Sequence, residues 1–269
     1  MNIFFLELRN LRKSAIAWTL SMSCVIAFIL AFFPSMQTES MKALSDAKLQ
    51  GIDPVVLEVM GLNGIPDFTI ITVFFGYVLQ FITLAIMMYL TSHACLLLVK
   101  EEINGTIEYL YAKPVSREEI FVQKLLALLV TFLAMLIVFF LVTIAGYLTF
   151  SDFTLGAAVK EIAILYGAVG FVGLVFISIS VSVSVIIKNA KNTSGASVAI
   201  VFGSFLMGAL SVMVDGLDFM IYFSPMDWIK TEKLMSEGIL WQEWLIGGIV
   251  IVIGLFITYN RYKKRDLLV

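Results

Sequence analysis

The residues best suited to chemistry are two adjacent carboxylates, Glu101 and Glu102, and the single histidine of the chain, His93. Paired carboxylates can serve as acid and base, and this pair could form half of the Glu-Glu-x-x-x-Arg motif of membrane proteases. That motif is incomplete, because Thr106 occupies the arginine position. A single histidine also excludes the His-Glu-x-x-His zinc site. We therefore predict no catalytic or metal site, and a packing or hydrogen-bonding role for His93.

The composition places these residues in a membrane protein. Hydrophobic residues make up 60% of the 269 residues and charged residues 14%, whereas soluble domains are roughly half apolar and a quarter charged. Several apolar runs reach the ~20 residues needed to cross a bilayer core of ~30 Å. The centres of these runs contain almost no ionisable residues, which argues against a proton- or sodium-coupled carrier.

Six apolar runs are long enough to be transmembrane spans. Each is predicted to be helical, because an isolated strand would leave its backbone hydrogen bonds unsatisfied in lipid. The alternation of Ser178, Ser180, Ser182 and Ser184 is a strand-like pattern, but the same argument makes this segment helical. The predicted spans, within a single all-α membrane domain covering 1–269, are residues 14–33, 68–99, 120–148, 162–187, 194–214 and 241–260.

The distribution of lysine and arginine predicts the orientation of these spans. If both termini lie on one side, that side carries 13 of the 18 basic residues. The opposite side then carries Lys42, Lys48, Lys160, Lys230 and Lys233. Because basic loops stay in the cytoplasm, we expect both termini there and the spans in a bacterial cytoplasmic (inner) membrane.

The first residues, 1–13, are basic and amphipathic. A cleaved signal peptide is one interpretation, but the apolar run that follows is long and no small-residue cleavage site comes after it. Phe4, Phe5, Leu8 and Leu11 share one helical face, away from charged residues. This pattern favours an amphipathic interfacial helix that precedes the first span.

Two long outer segments are predicted, at residues 34–67 and 215–240. The first contains a short helical pattern at 53–62, with Asp53 as its N-cap and Pro54 at its first position. The second is rich in aromatic residues. That density is typical either of a segment that dips into the membrane or of a loop with ordinary interfacial aromatics.

The cytoplasmic segment 100–117 has the most informative pattern. As a helix, the second span would be about 48 Å long, so it must tilt or emerge from the membrane. The emerging segment is charged but keeps apolar residues at helical spacing, and an apolar face outside lipid needs a partner surface. Gly105 permits a bend, and Pro114 ends the helix. Ser116 and Glu119 are spaced as a capping box for the third span.

This segment resembles a known family, the permease subunits of ABC-2 class exporters, also called type V ABC exporters. The motif that carries the likeness is Glu101-x-x-x-Gly105-Thr106, then Pro114-Val115-Ser116-Arg117, then Lys124. A Gly-Lys pair often follows this motif in the family, whereas Gln123 precedes the lysine here. The basic stretch from Tyr262 and the Ser224-Pro225 pair of the last outer segment also match the family layout.

The resemblance implies a division of labour between subunits. In the family, an amphipathic N-terminal helix precedes six spans, and the loop after the second span forms a coupling helix that docks on a separate ATPase. No Gly-x-x-x-x-Gly-Lys-Ser/Thr phosphate loop occurs in this chain, so ATP and Mg would be bound by the partner ATPase. Two ATPases would serve two permeases, as a homodimer or a heterodimer. The coupling residues so implied are Lys100, Glu101, Glu102, Gly105, Thr106, Glu108, Tyr109, Leu110, Pro114 and Arg117.

Two helical rows are candidates for the translocation path. In the fifth span, small residues recur every three or four positions, which lets membrane helices approach closely. They could instead serve packing within one subunit. In the resembling family the second and fifth spans line the path, and a methionine-rich, weakly polar wall suits an amphiphile better than an ion. The predicted path or dimer-interface residues are Tyr77, Gln80, Met87 and Thr91 in the second span and Ser197, Ser204, Gly208 and Ser211 in the fifth.

The leading functional hypothesis is therefore the transmembrane permease of an ATP-driven exporter. We expect an amphiphilic cargo, with an antimicrobial or toxin-like peptide as the first choice and a lipid-like molecule or drug as the second. Two rival hypotheses are a membrane anchor or signalling subunit that transports nothing, and a secondary carrier. An exporter subunit should co-purify with a soluble protein of ATPase size, and neither rival should.

Overall fold

The protein is built from long helices that pack side by side. The computed structural model describes residues 3–40, 42–43, 51–60, 67–105, 115–186, 190–236 and 238–264. Within these residues there is no strand, and six helices are long and apolar enough to cross a membrane. They are α1 Ile3–Met36, α2 Ile71–Leu96, α3 Arg117–Phe150, α4 Leu155–Ser184, α5 Ala190–Met213 and α6 Trp241–Lys264. The predicted all-α membrane fold with six spans is confirmed.

The N-terminal segment differs from the prediction of a separate interfacial helix at 1–13. One helix runs without interruption from Ile3 to Met36, since no glycine or proline occurs in it before Pro34. Its first turns bury a stripe that contains Ile3, Glu7 and Leu11, and the helix packs against α3. Because this stripe has a protein partner, the first turns extend the spanning helix.

Other helix ends also lie away from their predicted positions, and those of α4 and α2 are instructive. α4 begins at Leu155, whereas the apolar run begins at 162. Thr154 caps the earlier start, because its hydroxyl oxygen accepts a hydrogen bond from the Ala157 N–H at 3.4 Å. The apolar run did not include the first turns of α4 because they contain charged residues. One of these, Glu161, is accommodated in the bundle because its carboxylate accepts a hydrogen bond from the Thr72 hydroxyl of α2. α2 ends at Leu96 instead of 99.

α4 lies at the centre of the bundle and contacts α2, α3 and α6. Its serines join it to α6, with Ser178 Oγ donating to the Ile251 carbonyl at 3.1 Å and Ser182 Oγ donating to the Gly254 carbonyl at 2.9 Å. The two serines are four residues apart and therefore share one face of a helix. The strand-like alternation in the sequence is thus a helical packing surface, as predicted.

The two outer segments contain short helical pieces. In the first, a helix covers Pro54–Val59, and the Asp53 side chain accepts from the Val55 N–H at 2.8 Å, which confirms the predicted cap. The last outer segment contains two 3-10 turns, Asp218–Phe223 and Asp227–Ile229, and the helix Thr231–Ser236.

The middle of the last outer segment is inserted into the bundle. Trp228 is only 1% exposed and stacks on Phe171 of α4 with ring centroids 6.1 Å apart. Its indole N–H donates to the Ile221 carbonyl at 3.3 Å, so the buried polar group has a partner. Phe219 and Phe223, in contrast, are exposed. The segment therefore dips into the protein at its centre and leaves other aromatic residues on the surface.

Candidate functional site

Three helices meet where α2 ends. After Leu96 the backbone forms a tighter turn, in which the Leu97 N–H donates to the carbonyl three residues earlier, that of Ala94, at 3.2 Å. A four-residue helix, Lys100–Ile103, follows. The carbonyl groups at the end of a helix lack partners within it. Here Lys124 of α3 supplies one, because its Nζ donates to the Leu97 carbonyl at 2.8 Å.

Lys124 is a charged residue in the protein interior. Its side chain is 1% exposed, and its ammonium pairs with the carboxylate of Glu101, which is 16% exposed. Taking an unpaired charge out of water costs several kcal/mol. The partial negative charge at the C-terminal end of α2 also favours a cation. Together these two partners stabilise the buried ammonium and fix the helix Lys100–Ile103 to both α2 and α3.

α1 reaches the same place through its first turns. Glu7 is 2% exposed, and its Oε1 lies 3.5 Å from Nζ of Lys100. The Phe4 N–H donates to Oε1 of Gln123 in α3 at 3.1 Å. The second carboxylate oxygen of Glu7 has no hydrogen-bond partner among the described residues. Polar groups thus join three helices, α1, α2 and α3, around the start of segment 100–117.

Half of the predicted coupling residues fall in the described part of the chain. Lys100 and Glu101 form the contacts above, Glu102 lies half-buried on the same short helix, and Arg117 is the first residue of α3. Gly105 has a φ of +65°, a left-handed conformation in which other residues are strained, so the chain does turn there. The remaining predicted residues, Thr106, Glu108, Tyr109, Leu110 and Pro114, lie outside the described residues. The coupling role of the whole segment stays a prediction.

The sequence analysis missed the structural roles of Glu7, Gln123 and Lys124. A signal was present for the lysine, since a charged side chain near the start of an apolar helix needs a partner when it faces inward. For the other two residues the sequence holds no comparable signal. The predicted capping box is confirmed, with the Glu119 N–H donating to Ser116 Oγ at 3.2 Å and the Ser116 N–H donating to Glu119 Oε2 at 3.1 Å.

At the opposite end of the bundle, α2 and α5 lie side by side and border a cavity. Gln80 and Leu84 of α2, Phe205 of α5, and Asp227 with Lys230 from the last outer segment are among the residues that line it. Asp227 and Lys230 form an ion pair. The wall is therefore apolar, with one amide and one ion pair.

The first outer segment lies over this cavity. Gln80 Nε2 donates to the Met60 carbonyl at 2.6 Å. Lys230 Nζ lies 3.4 Å from the Glu58 carbonyl and donates to it. Both contacts use the C-terminal end of the short helix Pro54–Val59, where carbonyl groups favour donors. The two outer segments and the two spans thus form one connected structure.

The four predicted residues of α2 have different environments. Gln80 lines the cavity, and Tyr77 lies nearby with its ring 5.4 Å from that of Phe81. Met87 and Thr91 are fully buried, and Thr91 Oγ1 donates to the Met87 carbonyl of its own helix at 2.8 Å. The structure therefore brings Gln80 to the cavity and places Met87 and Thr91 in the packed interior.

The small residues of α5 face the last outer segment of the same chain. The Ser224 hydroxyl lies 2.7 Å from the Ser204 carbonyl and 2.6 Å from Asp227 Oδ2, so its one proton is shared between these two acceptors. The Met226 N–H donates to Ser204 Oγ at 3.3 Å. A Cβ atom on Gly208 would overlap the Asp227 carboxylate, so only glycine allows this approach.

Ser197 and Ser211 are also buried, and each donates to a carbonyl of its own helix, those of Ser194 at 2.9 Å and Gly208 at 2.7 Å. With Ser204 and Gly208 these contacts favour the alternative of packing within one subunit. A role for the four residues in the path or at a dimer interface stays a prediction.

His93 lies between α1 and α2. Its Nε2 is 3.4 Å from Ser14 Oγ, and its ring centroid is 4.5 Å from that of Tyr89. These contacts are of the packing and hydrogen-bonding kind that the sequence predicted. Within the described residues, no three His, Cys, Asp or Glu side chains are placed to hold a metal ion.

The sequence matches a known protein family over nearly its whole length. A family model described as ABC-2 family transporter protein matches residues 1–267. The match spans both the contacts around Lys124 and the outer cavity. No curated protein matches the chain significantly.

Gly208→Ala should destabilise the protein, because the added Cβ displaces the Asp227 carboxylate from Ser224. We expect a loss of about 1–3 kcal/mol, measured as a lower midpoint of thermal unfolding in detergent. Gly203→Ala on the same helix is the matched control, since nothing lies within 4 Å of its Cβ position and alanine favours a helix. Equal midpoints for the two variants would contradict this packing.

Lys124→Met should destabilise the protein by roughly 3–5 kcal/mol, because Glu101 is left partly buried without its partner. The double variant Lys124→Met/Glu101→Gln should recover part of that loss in the same thermal measurement. Lys263→Met removes an ion pair with Glu118 that is exposed on both sides and should have no measurable effect. A double variant as unstable as Lys124→Met alone would show that the ion pair is not the cause.

Proposed function

Because the chain belongs to the ABC-2 family of transporter proteins, we propose that it is the transmembrane subunit of an ATP-driven exporter that docks a separate ATPase through the segment beginning at Lys100. Membership makes the chain a membrane permease that works with an ABC ATPase. Our proposal adds three points: that transport is outward, that the segment beginning at Lys100 docks the ATPase, and that the cargo is amphiphilic. ATP and Mg belong to the ATPase in this scheme, and the permease itself hydrolyses nothing.

The observation that carries the proposal is the attachment of the helix Lys100–Ile103 to three spans. Lys124 joins this helix to α2 and α3, and the Lys100–Glu7 pair joins it to α1. A loop tied only at its ends would bend when an ATPase moves it. This helix is held by the buried Lys124–Glu101 pair and by the Lys100–Glu7 pair, in which only Glu7 is buried. Its displacement would therefore move the inner ends of α1, α2 and α3 together.

We place the path for an amphiphilic cargo along α2 and α5. The cavity that they border is only about 20 Å³, room for one water molecule, so the two helices would have to separate to admit the cargo. The apolar residues of the cavity, such as Leu84 and Phe205, can contact a hydrophobic surface, while Gln80 and the Asp227–Lys230 pair offer polar partners. Sites that combine an apolar wall with a few polar groups suit such molecules. An antimicrobial or toxin-like peptide is our first choice of cargo, and a lipid-like molecule or drug is the second.

We place both termini in the cytoplasm and the chain in a bacterial cytoplasmic membrane. Basic residues at the start of α1 and at the end of α6 lie at the same end of the bundle, where Lys263 Nζ is 2.6 Å from Glu118 of α3. Lys100 and Arg117 are at this end too. The positive-inside tendency then puts this end in the cytoplasm, where an ATPase is available. Two permeases, identical or different, would bind two ATPases.

Co-purification tests the proposal most directly. The tagged protein, extracted in mild detergent from its native host, should bring down a soluble protein that contains a phosphate-loop motif and hydrolyses ATP. The purified complex should show ATPase activity, and the permease alone should show none. A permease that never retains such a subunit would favour the anchor or the secondary carrier.

Glu101→Gln combined with Tyr109→Ala should uncouple ATP hydrolysis from transport. The amide oxygen can still accept a hydrogen bond from Lys124, but the buried ammonium loses its counter-charge and stability should fall. Transport is therefore measured on the fraction that inserts and elutes as the wild type does on size exclusion. In proteoliposomes, uptake of a fluorescent amphipathic peptide per ATP hydrolysed should fall by about tenfold, as expected for a loss of ~1.4 kcal/mol of coupling. Asp152→Ala, an exposed change at the opposite end of α3, is the control. Normal transport by the double variant would show that segment 100–117 is not the coupling element.

A further inference from the structure

An open groove lies on the surface of the bundle between α1 and α3. Arg12, Ile16 and Ser23 of α1 line one side, and Val130, Ala134 and Val138 of α3 line the other. Two threonines in the groove, Thr19 and Thr131, donate their hydroxyl protons to carbonyls of their own helices at 2.6 and 2.8 Å. The hydroxyl groups of these two threonines are thereby satisfied, whereas the buried Ser23 Oγ has no hydrogen-bond partner among the described residues. Apart from Ser23 and the Arg12 guanidinium, the groove presents a largely apolar surface.

The groove exists because the two helices touch at both ends and separate between them. At one end the stripe that contains Ile3, Glu7 and Leu11 is buried. At the other end a Cβ atom on Gly146 of α3 would overlap Leu30 of α1, so the helices are in close contact. Between these contacts the small side chain of Ala134 leaves the groove open toward the outside of the bundle.

A cation stands at one end of the groove. Arg12 lies on its rim and is exposed. Among the residues that the structure describes, no carboxylate forms an ion pair with it. Arg9 and Lys13 lie beside it on the same helix and add positive charge, while the nearby Glu7 carboxylate is buried against Lys100. A guanidinium group in this setting suits a phosphate.

The length of the groove matches one leaflet of a bilayer. From Arg12 to Ser23 the helix rises about 17 Å at 1.5 Å per residue, and half of a hydrocarbon core is ~15 Å. The cation is at the end that faces the membrane surface, and the apolar part runs inward from it. One cation followed by an apolar channel of this length has the pattern of a phospholipid, with a charged head and an extended chain.

We propose that this groove binds an anionic phospholipid, with the phosphate on Arg12 and an acyl chain between α1 and α3. The lipid would come from the leaflet that surrounds the first turns of α1, which is the cytoplasmic leaflet under the proposed orientation. Because basic residues surround Arg12, an anionic headgroup is favoured over a zwitterionic one. The lipid would fill the space between two helices that both contact the cytoplasmic segment, and so would stabilise their arrangement.

Native mass spectrometry of the detergent-purified protein, with its ATPase if one is retained, tests this proposal. Phosphatidylglycerol and phosphatidylcholine are titrated as the two probes. The wild-type protein should bind one phosphatidylglycerol more tightly than phosphatidylcholine, and Arg12→Gln should weaken phosphatidylglycerol binding about fivefold. Lys13→Gln is the matched control, because it removes an equal charge next to Arg12 but outside the groove lining. Its effect should be under about twofold.

A second pair of variants tests the acyl chain separately from the charge. Ala134→Trp fills the groove and should reduce binding of both lipids, whereas Ala17→Trp, an exposed change on α1 that does not line the groove, should not. The proposal fails if Arg12→Gln and Lys13→Gln behave alike, or if Ala134→Trp binds phosphatidylglycerol as the wild type does. It also fails if Ala134→Trp changes the oligomeric state, which would identify a second copy as the occupant. Failure to retain an ATPase would contradict the proposed function and leave this result unaffected.

Discussion

The burial of the Lys124 ammonium is the constraint on which the inner end of the bundle depends. A lysine that is 1% exposed must have partners, and it finds them in the Leu97 carbonyl and the Glu101 carboxylate. These partners hold together the end of α2, the start of the helix Lys100–Ile103, and α3. Because α1 joins the same place through Glu7 and Lys100, one buried charge orders three spans and the segment between them.

At the other end of the bundle the buried charged group is a carboxylate, and it too has partners. Asp227 is buried beside Gly208 and is held by Ser224 and Lys230. Satisfying this carboxylate draws the last outer segment into the bundle, against α5. The bundle is thus tied at each end by a paired buried charge, and apolar packing around α4 fills the space between.

α1 is more exposed than the central helices of the bundle. It contacts the bundle mainly through α3, and many of its large apolar residues, among them Phe5, Leu20 and Phe28, are exposed. In a membrane this surface is covered by lipid or by another subunit. Its first turns also contact the segment that begins at Lys100, through Glu7.

The sequence by itself determined the features that depend on neighbours along the chain. Six apolar runs had to be helices because lipid offers their backbones no other partners, and the caps at Asp53 and at Ser116 with Glu119 were predicted because their partners lie within three residues. The tertiary structure decided the rest. It merged residues 3–13 into α1 and paired Lys124 with Glu101. It also placed Gly208 against Asp227. These outcomes depend on contacts between distant parts of the chain, which local periodicity and capping patterns do not contain.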